Sequence, residues 1–120
     1  MKIAATFGFE AAHRLPKLPD WHKCKNLHGH NYQLEVAVEG GDDLDERGFV
    51  MDYAELEGIV NPLVATVDHK YLNEIPGLDN PTSEIIVQWF MRNIRPALSG
   101  CYVVTLRLYE TPRYWVELTE

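Results

Sequence analysis

The chain has 120 residues and a formal net charge of −7, and 46% of its residues are hydrophobic while 24% are charged. These values predict one domain over residues 1–120, small enough for assembly into oligomers to help its stability, and the acidic charge disfavours nucleic acid as a partner because a phosphate backbone calls for a basic surface. A membrane partner is not expected, since the sequence contains no run of ~18 apolar residues. The N-terminus turns polar by Glu10 and lacks the apolar core of a secretory signal, which favours the cytoplasm.

Two strands are expected in the first third of the chain. Apolar residues alternate from Lys2 to Ala12, which predicts a half-buried strand that ends at His13. The segment 14–27 contains two prolines and several polar residues, and is therefore expected to be a loop. The second strand follows, and the residues expected on its inward face share one parity: His28, His30, Tyr32, Leu34, Val36 and Val38.

Two helices and a hairpin complete the predicted fold. Asp52 has the properties of a helix cap, and the helix that follows is expected to contain Pro62 and to end near Asp68. Thr82 or Ser83 caps a second helix, which Pro96 and Gly100 end. Alternation in 102–110 and 114–118 predicts a closing hairpin. The order strand, strand, helix, helix, strand, strand predicts an α+β domain whose two helices cover one face of an antiparallel sheet.

A metal site is expected where the first two strands meet. His28 and His30 are two residues apart, so their side chains point to the same side of a strand, and Gly29 between them lets the backbone run close to an ion. An antiparallel return of the chain would bring His13 beside this pair. Three imidazoles without a fourth protein ligand are typical of an open, catalytic zinc (Zn2+) site.

The cysteines have different expected roles. Cys24 lies in the loop before the histidine pair and would act as a base if zinc or a cationic neighbour, Lys23 or Lys25, favours its thiolate. The alternative for Cys24 is a small buried hydrophobic residue. Cys101 is expected to pack within a strand.

Two further constellations concern proton transfer and ligand binding. Asp68 could orient the imidazole of His69 for proton transfer, although a solvated helix end is the alternative. Glu110 shares the parity of the buried positions of its strand, where an unpaired carboxylate would be costly. It could accept two hydrogen bonds from a guanine-like or pterin-like ring, or it could pair with an internal arginine such as Arg107 or Arg113.

These residues resemble those of the 6-pyruvoyl-tetrahydropterin synthase family, over nearly the whole chain. The spacing between Cys24 and His28 is similar to that of the family's 6-carboxy-5,6,7,8-tetrahydropterin synthase branch, whereas the pyruvoyl branch usually has a longer spacing there. The motifs that carry the resemblance are Phe9–His13, Cys24–Tyr32, Asp68–Asn73, Pro81–Glu84 and Tyr109–Thr111.

The resemblance implies a fold, an assembly and a reaction. The fold would be the tunnelling fold (T-fold), which forms rings through its edge strands and stacks two trimeric rings as a homohexamer with sites between subunits. The reaction would convert 7,8-dihydroneopterin triphosphate to 6-carboxy-5,6,7,8-tetrahydropterin, with release of acetaldehyde and triphosphate, in queuosine biosynthesis. His13, His28 and His30 match the zinc ligands, and Cys24 matches the proton acceptor.

The remaining site residues follow from the same resemblance or from their charge. Asp68 and His69 match the family's charge-relay pair, and Glu110 matches the residue that anchors the pterin ring. Further substrate contacts are expected from Thr82 and Ser83 for the pterin, and from Arg14, Lys17, Lys23 and Lys25 for the triphosphate.

Two other functions remain open from the sequence. A pyruvoyl-forming enzyme would act on the same substrate by internal redox and loss of triphosphate without cleaving the side chain. A catalytically silent zinc protein that binds pterin-like or purine-like rings would use Glu110 but not the chemistry of Cys24. The combination of Cys24, Asp68 and His69 argues against the silent protein, because a pure binder has no need for a proton-transfer set.

Overall fold

The computed structural model describes all 120 residues as one α+β domain. None of its helices is both long and apolar enough to span a membrane. The elements in chain order are β1 (Lys2–His13), β2 (His28–Glu39), α1 (Tyr53–Val67), β3 (Lys70–Tyr71), α2 (Ser83–Ile94), β4 (Val103–Thr111) and β5 (Tyr114–Thr119).

The strands form a five-stranded sheet in the order β3-β1-β2-β4-β5. The four longer strands are antiparallel, as predicted, and β3 adds a short parallel pairing with Ala11 and Ala12 of β1. The order of strands and helices expected from the sequence is confirmed. β3 was not predicted because two residues are too few to show an alternating pattern.

The β1–β2 pairing places the histidines. Its register runs from Lys2 opposite Glu39 to His13 opposite His28. Residues directly opposite each other in an antiparallel pair point to the same face of the sheet. His13 and His28 therefore lie side by side on the face that the helices cover, at the end of the sheet where the loop 14–27 begins.

Both helices begin at side-chain caps. The Asp52 carboxylate accepts a hydrogen bond from the Ala54 N–H at 2.9 Å, and the Thr82 hydroxyl oxygen accepts one from the Ile85 N–H at 3.3 Å. α1 continues through Pro62 to its end at Val67. The residues that the two helices bury against the sheet are Leu56, Val60, Val64 and Val67 of α1, and Ile86, Val87, Phe90, Met91 and Ile94 of α2.

Both cysteines are free thiols. Cys24 is half-buried in a short 3-10 turn, Lys23–Lys25, within the loop that joins β1 to β2. Cys101 is exposed in a turn just before β4, so the prediction that it packs within a strand is wrong. The alternating pattern that begins at Tyr102 does not extend back to Cys101.

Candidate functional site

Three imidazoles meet where β1 ends and β2 begins. Their potential ligand atoms all lie within 4.8 Å of one another, so His13, His28 and His30 could hold a metal ion. The Nε2 atoms of His13 and His28 are only 3.0 Å apart. His13 is completely buried, and the other two rings are half-buried. The cluster predicted from the sequence is thus present, on the core face of the sheet.

Backbone carbonyls fix the tautomers of two of these rings. His13 Nδ1 donates to the Pro81 carbonyl at 2.8 Å, and His28 Nδ1 donates to the Asn26 carbonyl at 2.7 Å. A carbonyl can only accept, so in the neutral rings the proton is on Nδ1 and Nε2 carries a lone pair. Two such lone pairs face each other across 3.0 Å, an arrangement that a cation between or beside them would stabilise.

A cation would stabilise the third ring, His30, in the same way. His30 Nε2 is buried and has no hydrogen-bond partner, and its nearest charged atom is Glu110 Oε1 at 3.4 Å. Burial lowers the pKa of His13 and of His30, which favours the neutral imidazole that a metal requires. Three neutral nitrogen donors with one of them unpaired fit a zinc ion with an open coordination position.

The loop before β2 places Cys24 near this cluster through backbone contacts. The Cys24 N–H donates to His22 Nδ1 at 3.1 Å, and the Cys24 carbonyl accepts from the Leu15 N–H at 2.9 Å. The first bond caps the 3-10 turn, and the second fastens this turn to the residues that follow β1. The position of the thiol is therefore set by bonds that do not involve its sulfur.

One cavity of about 370 Å³ joins the thiol to the histidines and to an acid. Its lining consists of Lys23, Cys24, His28, His30, Glu110, Thr111 and Tyr114. A thiol, two candidate metal ligands, a carboxylate and an ammonium group thus face the same space. Such a space can bind a polar ring and bring a base to one of its substituents.

Glu110 lies between the histidines and the start of α2. Its Oε2 accepts from the Ser83 hydroxyl at 2.9 Å, while its Oε1 lies near His30. The two arginines considered as its partners make other contacts: Arg107 pairs with Glu117, and Arg113 lies over the ring of Tyr114. The parity argument that turned Glu110 inward is confirmed, and its side chain remains available to a ligand.

Asp68 and His69 form a hydrogen-bonded unit on the outer edge of β1. Asp68 Oδ1 accepts from the Glu10 N–H and lies 2.9 Å from His69 Nδ1. These contacts lower the pKa of Asp68, with the Glu10 backbone bond as the largest cause. His69 has a left-handed backbone with φ of 58°, which is uncommon for a residue other than glycine. The two adjacent side chains thus interact directly.

This unit does not line the cavity that contains Cys24. His69 borders a separate cavity of about 560 Å³, together with Glu10, His30, Asn31 and Tyr71. His30 borders both cavities. Within one chain, Asp68 and His69 are therefore not placed in the same space as Cys24, and the His69 side chain is 73% exposed.

The polar residues expected to contact substrate differ in their surroundings. Thr82 and Ser83 line a cavity of about 260 Å³ that Glu110 also borders. Lys23 lines the Cys24 cavity, whereas Lys25 pairs with Asp20. Arg14 and Lys17 are exposed in the loop after β1. Of these four basic residues, Lys23 alone lines the cavity that contains Cys24.

Sequence reasoning missed the groups that orient the histidines. The carbonyls of Asn26 and Pro81 have no side-chain signature, so no sequence pattern could have identified them. The Tyr32 hydroxyl lies 3.3 Å from His13 Nδ1 and 3.4 Å from its Nε2. The parity of β2 had placed Tyr32 inward, and that parity was the available signal for this contact.

Comparisons with known proteins identify the family of this chain. A model of the 6-pyruvoyl tetrahydropterin synthase family matches residues 2–120. A dihydroneopterin monophosphate aldolase of Pyrococcus furiosus is 40% identical over 118 residues, which are 98% of this chain and 96% of that protein. A 6-carboxy-5,6,7,8-tetrahydropterin synthase of Synechocystis is 43% identical over 100 residues, which are 79% of this chain and 75% of that relative.

Solved structures have the same fold. The 6-pyruvoyl tetrahydropterin synthase of Caenorhabditis elegans superposes with a TM-score of 0.85 at 29% identity, and covers 100% of this chain and 95% of its own. That of Plasmodium falciparum superposes with a TM-score of 0.78 at 15% identity, over 100% of this chain and 97% of its own. The expected tunnelling fold is confirmed. Because the family model and relatives at 40% identity or more span the chain, it belongs to the 6-pyruvoyl tetrahydropterin synthase family.

Proposed function

We propose that this protein is a zinc-dependent carbon–carbon lyase that converts 7,8-dihydroneopterin triphosphate to 6-carboxy-5,6,7,8-tetrahydropterin, with release of acetaldehyde and triphosphate, in queuosine or related 7-deazapurine biosynthesis. The observation that carries the proposal is the single cavity that joins Cys24, His28, His30 and Glu110. The relative from Synechocystis that bears the name of this activity supports the same reaction.

The residues of the cavity have separate roles in this proposal. His13, His28 and His30 hold zinc, which supplies polarisation of the substrate's side-chain oxygens when bound. Glu110, oriented by Ser83, accepts hydrogen bonds from the pterin ring and fixes its position. Cys24 takes a proton from the side chain of the substrate, and Lys23 attracts its phosphates.

A second candidate is a dihydroneopterin monophosphate aldolase. It is favoured by the relative from Pyrococcus furiosus, which is 40% identical over almost the whole of both chains. An aldolase would break the bond between the first two side-chain carbons and leave a hydroxymethyl pterin and a phosphorylated two-carbon aldehyde. The same constellation of metal ligands and base could perform this cleavage, so the two candidates differ in substrate and products rather than in site residues.

A product assay separates the candidates. Zinc-loaded protein is incubated with dihydroneopterin triphosphate and, in parallel, with the monophosphate. Aldehydes are trapped as hydrazones and pterins are identified by mass spectrometry, with metal-free protein as the control. Acetaldehyde with the carboxy pterin supports the proposal. A hydroxymethyl pterin from the monophosphate alone supports the aldolase, and a pyruvoyl pterin without aldehyde supports the pyruvoyl-forming reaction. Binding without turnover identifies a silent pterin-binding protein.

Replacement of Glu110 by glutamine should weaken pterin binding by about 10- to 100-fold without loss of zinc. Glutamine can still accept from Ser83, but its amide group places a donor where the carboxylate offered an acceptor to the ring N–H groups. The measurement is calorimetric titration of zinc-loaded protein with a pterin. Glu117→Gln, which alters a carboxylate paired with Arg107, is the matched control. Unchanged affinity in Glu110→Gln would place ring recognition elsewhere.

The proposed assembly is a homohexamer, a dimer of trimers, with sites between subunits. Two observations support it. β3 pairs with β1 at only two residues, and β5 forms the other edge of the sheet, so long strand edges are available for another copy. His69 borders a different cavity from Cys24, and Asp68 lines neither, so a second copy would be needed to bring this pair to Cys24.

A complementation experiment tests whether sites are shared. Cys24→Ala and His69→Asn variants should each be inactive, and asparagine is chosen because it tolerates the left-handed backbone of His69. When differently tagged variants are co-expressed and mixed oligomers are purified, about a quarter of the sites should combine an intact Cys24 with an intact His69 from the neighbour. Activity should recover accordingly. Failure of mixed oligomers to recover activity would place both groups in one chain's site.

A further inference from the structure

The side chain of Asn73 makes hydrogen bonds to the backbone of Arg14, the residue that follows the candidate metal ligand His13. It is half-buried in a short 3-10 turn, Leu72–Glu74, directly after β3. Its Oδ1 accepts from the Arg14 N–H at 3.0 Å, and its Nδ2 donates to the Arg14 carbonyl at 2.9 Å. The side-chain amide thus binds both groups of one residue's backbone, as a neighbouring strand would.

These bonds extend the sheet past its last strand pair. β3 pairs with β1 at Ala11 and Ala12, and His13 is the last residue of β1. With Asn73 bound to Arg14, the backbone is held on both sides of His13. Without this amide, the peptide after His13 would join an exposed loop directly.

The same amide approaches the segment that orients the His13 ring. Asn73 Nδ2 lies 3.4 Å from the Asp79 carbonyl, and two residues later the Pro81 carbonyl accepts from His13 Nδ1. One side chain therefore contacts both the segment that carries His13 and the segment that fixes its tautomer. A shift of either segment would move the Nε2 that faces His28.

The loop that carries Cys24 is fastened next to the same point. Leu15 follows Arg14, and its N–H donates to the Cys24 carbonyl at 2.9 Å. A displacement of the Arg14 peptide would therefore pass to the 3-10 turn that contains the thiol. The three-histidine cluster and the Cys24 thiol are thus connected through the backbone of Arg14 and Leu15, and Asn73 is the side chain that binds this backbone.

We infer that Asn73 is a positioning residue that sets the relative placement of the three-histidine metal centre and Cys24 by fixing the Arg14 peptide. The part that concerns Cys24 rests on the proposed function. The part that concerns the metal centre does not, since metal affinity can be measured whatever reaction the protein catalyses.

The test compares Asn73→Ala, Asn73→Asp and a matched control, Asn93→Ala. Asn93 also uses its amide to bind one backbone carbonyl, that of Trp89 at 2.7 Å, but on an exposed face of α2. Zinc affinity is measured by competition with a chromophoric chelator. Asn73→Ala should bind zinc about 10-fold more weakly or worse, as expected when a group that orients a metal ligand is lost. Asn73→Asp keeps the acceptor for the Arg14 N–H, so its zinc affinity should lie between that of Asn73→Ala and that of the unmodified protein. The zinc affinity of Asn93→Ala should equal that of the unmodified protein.

A second readout concerns the reaction, with the substrate that the product assay identifies. Per bound zinc, Asn73→Ala should lower kcat more than it changes KM, because Asn73 makes no hydrogen bond to Glu110, the residue that binds the ring in the proposed function. Asn73→Asp should restore part of the loss.

Unchanged zinc affinity in a folded Asn73→Ala variant would overturn the inference, and a lower melting temperature with unchanged affinity would make Asn73 purely structural. If Asn73→Ala does not fold, zinc affinity is measured on Asn73→Asp instead. A zinc affinity equal to that of the unmodified protein would then overturn the inference. A failure of the proposed reaction would leave the zinc measurement unaffected, so the two failures are distinguishable.

Discussion

Replacement of His28 by alanine should abolish stoichiometric zinc binding and activity together. Loss of a group that only orients a metal ligand typically weakens binding by about 10- to 100-fold, so the loss of a ligand itself should exceed about 100-fold. His28 contributes one of the two Nε2 atoms that face each other at 3.0 Å, and two remaining imidazoles make a poor tetrahedral site. Metal analysis after dialysis and the turnover rate measure the two effects.

The control for this prediction is His22→Ala. His22 lies in the neighbouring loop but is outside the three-histidine cluster, and its Nδ1 accepts from the Cys24 backbone. Zinc should remain stoichiometric in this variant. Circular dichroism establishes that both variants are folded. Stoichiometric zinc in His28→Ala would contradict the assignment, and loss of zinc in His22→Ala would make His22 a ligand instead.

Local alternation predicted the histidine site because the relevant geometry is local. The two-residue period of β2 placed His28 and His30 on one face, and an antiparallel return of the chain was expected to bring the end of β1 beside them. The register then brings His13 directly opposite His28. Similarly, the parity of β4 turned Glu110 inward. Each of these predictions needed only the side-chain periodicity of one strand or one pair of strands.

The contacts that could not be predicted join segments far apart in the chain. Glu110 meets Ser83 across 27 residues, and His13 meets Pro81 across 68. No periodicity of a single element reports such pairs, because they depend on how the helices pack on the sheet. For the same reason, the sequence could not show that Asp68 and His69 lie outside the cavity that contains Cys24.

Charge alone was a weak guide to ligand contacts. Lys23 and Lys25 flank the same thiol in the sequence, but the structure separates them. Lys23 borders the cavity, while Lys25 pairs with Asp20 five residues earlier. The two lysines lie two residues apart in a 3-10 turn, which has about three residues per turn, so their side chains point in different directions and find different partners although their charge is the same.

Replacement of Cys24 by alanine should remove the chemical step and preserve binding. The loss of a proton-transfer group typically lowers kcat by about 10²- to 10⁴-fold. Zinc content should not change, because the thiol is not part of the three-histidine cluster. The loop should also keep its position, since the bonds to Leu15 and His22 involve only the backbone of Cys24. An interaction that belongs mainly to the transition state shows this pattern of lost turnover at constant affinity.

Cys101→Ala is the matched control, because it removes the protein's other free thiol from an exposed turn outside the Cys24 cavity. It should leave kcat, zinc content and pterin affinity unchanged. The three quantities are measured on the same preparations by steady-state kinetics, metal analysis and calorimetry. If Cys24→Ala instead lost zinc but kept the same turnover per bound zinc, Cys24 would be a metal ligand. If it kept both zinc and kcat, the proton acceptor would have to be another residue, and the exposed His69 brought by a neighbouring copy would be the next group to test.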